Sequence, residues 1–150
     1  MEILNAVLSV ITNFGVVIFV TLLLPSIALY KKNKRVVYAL WLAFIASFIL
    51  SFIIKMIVLR QRPIDTVTYP FTNIINYSFP SMHSMIVFSL LPFLVKFLPK
   101  QKYFWILFAF FVAFSRIYFR FHFLSDVVFG ALFGYFIGNR IMKKSHRQRR

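Results

Sequence analysis

Residues 36–59 read VVYALWLAFIASFILSFIIKMIVL, a run with a single charged side chain, Lys55. A lipid hydrocarbon core is crossed by roughly 20 mainly apolar residues in a helix, so this stretch is long enough to span one. Composition agrees: the 150 residues are 61% hydrophobic and only 14% charged, whereas soluble domains run near 45–50% apolar and about 25% charged. Four more apolar runs, at approximately residues 3–29, 84–97, 103–115 and 123–141, approach the same length. They leave no room for a separate soluble domain. We therefore expect an all-α integral membrane protein. It would be a single domain over residues 1–150, a compact bundle of about five transmembrane helices with a short interfacial loop segment between the second and third. The first run begins at Glu2 rather than at a basic region and stays apolar beyond the 7–15 residues of a signal peptide, so we expect it to be retained. Pro25 and Pro92 fall inside apolar runs and are expected to kink their helices.

The charge is one-sided, with 18 Lys and Arg against three acids, a net +15. Nucleic-acid binders spread such charge along a solvated face or arm; here long apolar runs separate it, so no nucleic-acid partner is expected. Short cytoplasmic loops carry the excess of Lys and Arg. Lys31, Lys32, Lys34 and Arg35 follow the first run, Lys96, Lys100 and Lys102 the third, and Arg140, Lys143, Lys144, Arg147, Arg149 and Arg150 the fifth. With five crossings all three clusters fall on the cytoplasmic side of the inner membrane, and the C-terminus with them. Lys55, Arg60, Arg62, Arg116 and Arg120 then share the extracytoplasmic side with the three acids, Glu2, Asp65 and Asp126. Ionisable residues near or within spans are costly, which makes them functional candidates, although a single Lys or Arg can also snorkel to head groups. The absence of cysteine excludes disulfides and a thiolate nucleophile, and three acids are too few for a carboxylate-rich metal centre.

Three segments on that side carry the chemistry. In Lys55-Met-Ile-Val-Leu-Arg-Gln-Arg62-Pro63 the two outer cations are seven apart, on one face if the helix continues. A point charge and a planar fork suit a phosphate or carboxylate. In Pro80-Ser81-Met82-His83, Ser81 is placed to cap a helix whose first free backbone N–H groups could receive an anion. A plain capped helix with an interfacial histidine reads equally well. Ser115 and Arg116 precede His122 and Asp126, which are four apart and so stacked if helical. A carboxylate there would orient the imidazole and sharpen its far nitrogen as base or nucleophile; alternatively the two simply satisfy one another. Together these groups fit phosphoryl transfer, where catalysis is mostly positioning and charge neutralisation. No Gly-rich nucleotide loop accompanies them, so a phosphorylated lipid is the expected substrate.

These segments resemble the signature of the type-2 phosphatidic acid phosphatases, relatives of the vanadium-dependent haloperoxidases: Lys-x6-Arg-Pro, Pro-Ser-Gly-His and Ser-Arg-x5-His-x3-Asp. The first and third are complete, and Met82 replaces the glycine of the second. The resemblance implies that His122 is a nucleophile forming a phosphohistidine, with Asp126 orienting it and His83 as general acid. It implies that Lys55, Arg62, Ser81, Arg116 and the backbone at Met82 hold the phosphate, and that no metal or other cofactor is needed. Small bacterial members act on lipid A 1-phosphate, phosphatidylglycerol phosphate or undecaprenyl diphosphate. The rival reading is a non-catalytic lipid-binding bundle or a small anion permease using the same cations.

Gly130, Gly134 and Gly138 recur every fourth residue, a stripe expected to let helices approach closely. It leaves open a monomer or a weak homodimer. Residues 60–80 are expected to form an interfacial rim anchored by Tyr69, Phe71 and Tyr77. The glycosylation pattern at Asn76-Tyr77-Ser78 is discounted for its nearness to the site.

Overall fold

The structure, a computed structural model, describes residues 2–63 and 76–147. The residue 36–59 run forms helix α4 (Lys34–Val58), which Asn33 starts by accepting the Val36 N–H. Leu40, Ala43, Ser47, Ser51 and Lys55 are buried, at the three- and four-residue spacing of one helical face. The opposite face is as apolar: Leu42, Ile45, Ile49, Ile53 and Ile57 are exposed. A helix that is hydrophobic all round belongs in a core or a membrane.

Before it, the first apolar run is not one rod. It divides into α1 (Glu2–Ile11), α2 (Phe14–Ile18), a π-helical turn (Phe19–Leu23) and α3 (Leu24–Tyr30). Asn13 accepts the Gly15 N–H and starts α2, and the chain bends there by 51°. The kink expected at Pro25 is replaced by the π turn just ahead of it, closed by the Leu24 N–H on Phe19 O. The wider turn accommodates a ring that has no N–H to donate.

Helix α5 (Met82–Phe97) is the central element and runs unbroken through Pro92. From Met82 to Leu94 every residue except His83 is buried, because α4, α6 (Lys102–Tyr118) and α7 (Leu124–Arg147) all pack around it. A 3₁₀ turn at Pro99–Gln101 lets α6 leave α5 at 118°. The glycine stripe fixes the α5–α7 contact. A Cβ at Gly130 would lie 2.8 Å from Ser81 O, one at Gly134 2.1 Å from Met85 O, and one at Gly138 1.9 Å from Ser89 O. The stripe is thus occupied by α5 of the same chain and offers no small-residue face for a second copy.

There are no strands among the described residues. Among the described residues one helix, α4, is long and apolar enough to cross a membrane alone, or up to three spans exist if each bent pair counts as one. Most of the expected rim, with Tyr69 and Phe71, lies outside the described residues, as does Asp65.

Candidate active site

α4 stops because Leu59 adopts a left-handed conformation (φ 50°), its N–H returning to Lys55 O. Arg62 is therefore not two helical turns above Lys55, and the shared face expected for the pair is not formed. The two reach the same place by different routes. Lys55, 1% exposed, donates to the carbonyls of Tyr77 (2.5 Å) and Ser78 (3.4 Å). Arg62 donates from Nε to Asn76 O at 2.9 Å. Both cations thus hold the strand of chain that leads into Pro80 and α5.

Ser81 caps α5 as expected, accepting from the Ser84 N–H and from the Ser84 hydroxyl. Its own N–H donates to Asp126 O at 3.1 Å, which ties the start of α5 to the start of α7. Met82 turns its side chain into the apolar core, so the residue replacing the signature glycine does not fill the polar side of the turn. His83, on the next position, meets Arg116 Nη1 at 3.4 Å through Nε2.

The loop between α6 and α7 folds over the last turn of α6. Arg120 takes a positive φ of 55°, and the N–H groups of Phe121 and His122 both donate to Arg116 O. His122 therefore sits in this loop, ahead of α7, rather than one turn below Asp126 on a common helix. Its Nδ1 is 3.7 Å from Asp126 Oδ2, beyond hydrogen-bonding range, and has no hydrogen-bond partner among the described residues. Asp126, fully buried, takes its bonds elsewhere. Oδ2 accepts from the Ser78 hydroxyl and from the Phe123 N–H at 2.8 Å, capping α7; Oδ1 accepts from Arg60 Nη1 at 2.8 Å.

Burial is the main influence that lowers the His122 pKa, to about 4, and the Arg62 and Lys55 cations push the same way against the Asp126 carboxylate. The imidazole is consequently neutral across the physiological range, with Lys55, Arg62 and Asp126 all within electrostatic reach. A neutral imidazole beside a carboxylate and among cations can attack an electrophilic phosphorus. Among the described residues no group of three His, Cys, Asp or Glu could hold a metal ion.

Three participants had no role assigned from the sequence. In the sequence Arg60 is one of several cations expected on the extracytoplasmic side, with no role of its own, yet it forms the ion pair with Asp126 and lies 4.1 Å over the Phe123 ring. Ser78 looked like part of a glycosylation pattern, yet it is buried on Asp126. Thr12 gave no signal at all, and its hydroxyl accepts from Arg116 Nη2.

A helical cluster that gathers Lys55, His83, Arg116, His122 and Asp126 at one end defines a class. The sequence profile of the PAP2 superfamily matches residues 35–150, and the chain belongs to that superfamily, with the fold of its membrane phosphatases. Among relatives, the chain is 34% identical over 107 residues to the bacitracin transport permease protein BcrC of Bacillus licheniformis, covering 69% of this chain and 52% of that protein. It thus spans about half the length of this curated relative. The crystal structure of the first transmembrane PAP2-type phosphatidylglycerolphosphate phosphatase, from Bacillus subtilis, superimposes with a TM-score of 0.77 at 25% identity. That match covers 98% of this chain and 79% of that one.

Proposed function

We propose that the chain is a single-domain membrane lipid phosphatase acting through a phosphohistidine on His122. The supporting observation is that the three signature segments, scattered over residues 55–126, converge on two adjoining clusters, Asp126 with Arg60 and Ser78, and Arg116 with His83, between which His122 donates its N–H to Arg116 O and brings its ring to 3.7 Å from Asp126. In this reading Lys55, Arg62, Arg116, Ser81 and the backbone at Met82 bind the phosphate oxygens. His122 Nε2 attacks phosphorus, the bond to the lipid oxygen breaks, and His83 gives that oxygen its proton. Water, deprotonated by His83, then attacks the phosphorus on His122 and releases phosphate. Asp126 orients His122 by closing the 3.7 Å gap to Nδ1 once substrate draws the ring in, since catalytic hydrogen bonds often tighten only in the complex.

The substrate class we favour is a lipid-linked phosphate: phosphatidylglycerol phosphate, undecaprenyl diphosphate or lipid A 1-phosphate. Five crossings, formed by α1–α3 together and then α4, α5, α6 and α7, would put the site at the extracytoplasmic face of the inner membrane. The cations of the chain replace a metal in this scheme, so phosphate release should survive excess EDTA. A second reading, a permease without hydrolysis, is favoured by the likeness to BcrC, a bacitracin transport permease protein.

His122→Ala separates the two. Purified variant should fold as wild type and release no phosphate from any of the three lipids or from phosphatidic acid; release at the wild-type rate would refute the phosphatase. Acid-labile, base-stable labelling of wild type by a 32P-labelled lipid, lost in His122→Ala, would identify the intermediate.

A further inference from the structure

We infer that Thr12, at the break between α1 and α2, is a positioning residue that holds the Arg116 guanidinium in place for the phosphate. This rests on the phosphatase reading above. Thr12 lies outside the signature segments and outside the residues matched by the superfamily profile, and is 104 positions from its partner.

A guanidinium carries five N–H groups in a rigid fork. In Arg116, Nε is spent on Ser115 Oγ at 3.0 Å and Nη2 on Thr12 Oγ1, while Nη1 points to His83 Nε2 at 3.4 Å. Two corners are thus anchored, and the third meets the proposed general acid. The Thr12 hydroxyl is suited to that anchoring because its single proton is already committed to Leu8 O at 2.7 Å. Its oxygen can then only accept, which is what an all-donor guanidinium requires. Thr12 is fully buried and Arg116 is 6% exposed, so water does not substitute for either partner.

The break in the first apolar run makes this contact possible. α1 ends at Ile11 and Asn13 restarts the helix as α2, and Thr12 sits at the corner, directed into the bundle. The same corner brings the Phe14 ring edge-on to the His83 ring at 5.0 Å. The N-terminal segment thus touches both Arg116 and His83 and limits where each can move. Holding a charged donor fixed before substrate arrives removes a reorganisation cost from the transition state.

The test uses purified full-length protein, with phosphate release from phosphatidylglycerol phosphate in mixed micelles and orthovanadate binding by calorimetry as separate readouts. Thr12→Val keeps the volume and removes the acceptor. It should lower kcat about tenfold, the scale of one hydrogen bond to a charged group, weaken orthovanadate binding similarly, and leave KM for the lipid unchanged. Thr12→Ser should recover both to within about threefold. Thr12→Ala, run in parallel, reports the same loss should the valine variant not fold. The inference is overturned by a folded Val or Ala variant that binds orthovanadate as wild type does, or by a serine variant as impaired as valine. His122→Ala keeps the two readings apart. If it is inactive while Thr12→Val is unimpaired, only the Thr12 role falls; if it still releases phosphate, the phosphatase falls with it.

Discussion

Asp126 has four claimants: Arg60, Ser78, the Phe123 N–H and, at longer range, His122. Arg60 supplies the guanidinium paired with it at 2.8 Å. Arg60→Ala should destabilise the folded chain by about 1–3 kcal/mol by leaving a buried carboxylate underpaired and should reduce phosphate release about tenfold. Arg60→Lys should fall between, since it keeps the charge and loses the fork; a wild-type Arg60→Ala on both measures would remove Arg60 from the site. His122 gives a pH signature whose sign is fixed by its surroundings. Its pKa is about 4 folded and 6.5 in free imidazole, so between those values the unfolded chain holds a proton that the folded chain does not. Its contribution to stability is complete above pH 6.5 and is lost as pH falls toward 4. Thermal unfolding in detergent from pH 7 to 4.5 should therefore show a steeper fall for wild type than for His122→Gln. Lys55, Ser81, His83, Arg116, His122 and Asp126 could be singled out as candidates from residue type, spacing and the family resemblance, but the helical stacking that the spacing suggested for His122 and Asp126 does not form. Arg60 could not be singled out, because its role depends on where α4 stops, and Leu59 gives no warning of a left-handed turn that glycine or asparagine usually signals. Thr12 was not legible because nothing local links it to a side chain at the far end of the chain.

At the level of elements, the helices were mostly readable, since apolar runs bounded by charged loops mark them whatever their packing. The breaks were harder. Proline suggested a kink at residue 25, but the main bend falls at Asn13, where a side-chain cap competes with helix continuation. The glycine stripe was readable as a packing face, though not which helix it meets. Its consequence can be measured in a graded series. The Cβ of Gly134→Ala would arrive 2.1 Å from Met85 O and that of Gly138→Ala 1.9 Å from Ser89 O, both against helix backbone that cannot yield locally. Each should force α7 off α5 and cost several kcal/mol, on the order of overpacking in a core. At Gly130 the nearest approach is 2.8 Å, to Ser81 O, so Gly130→Ala should stay folded with a smaller loss. Unfolding temperatures in detergent that do not follow this order would contradict the α5–α7 contact.

On the scale of the whole molecule, the chain separates its charges by end. Asn33, Arg35, Phe97 and Ser145 line one cavity, so the basic loops after α3 and α5 and the tail of α7 meet at the end away from His122. If that end is cytoplasmic, Gln61→Cys should react with a membrane-impermeant maleimide in intact cells and Lys100→Cys only after permeabilisation. Both positions are exposed and the chain has no other cysteine. The reverse labelling pattern would invert the proposed orientation. The alternating direction of the helices also has an electrostatic consequence at the His122 end. α5 and α7 arrive there by their N-termini, whose aligned peptide dipoles present partial positive charge, while α4 and α6 arrive by C-termini that present partial negative charge. Left bare, the four would largely cancel. Lys55 and Arg116 stand in the last turns of α4 and α6, where a basic group opposes the partial negative charge of those two ends.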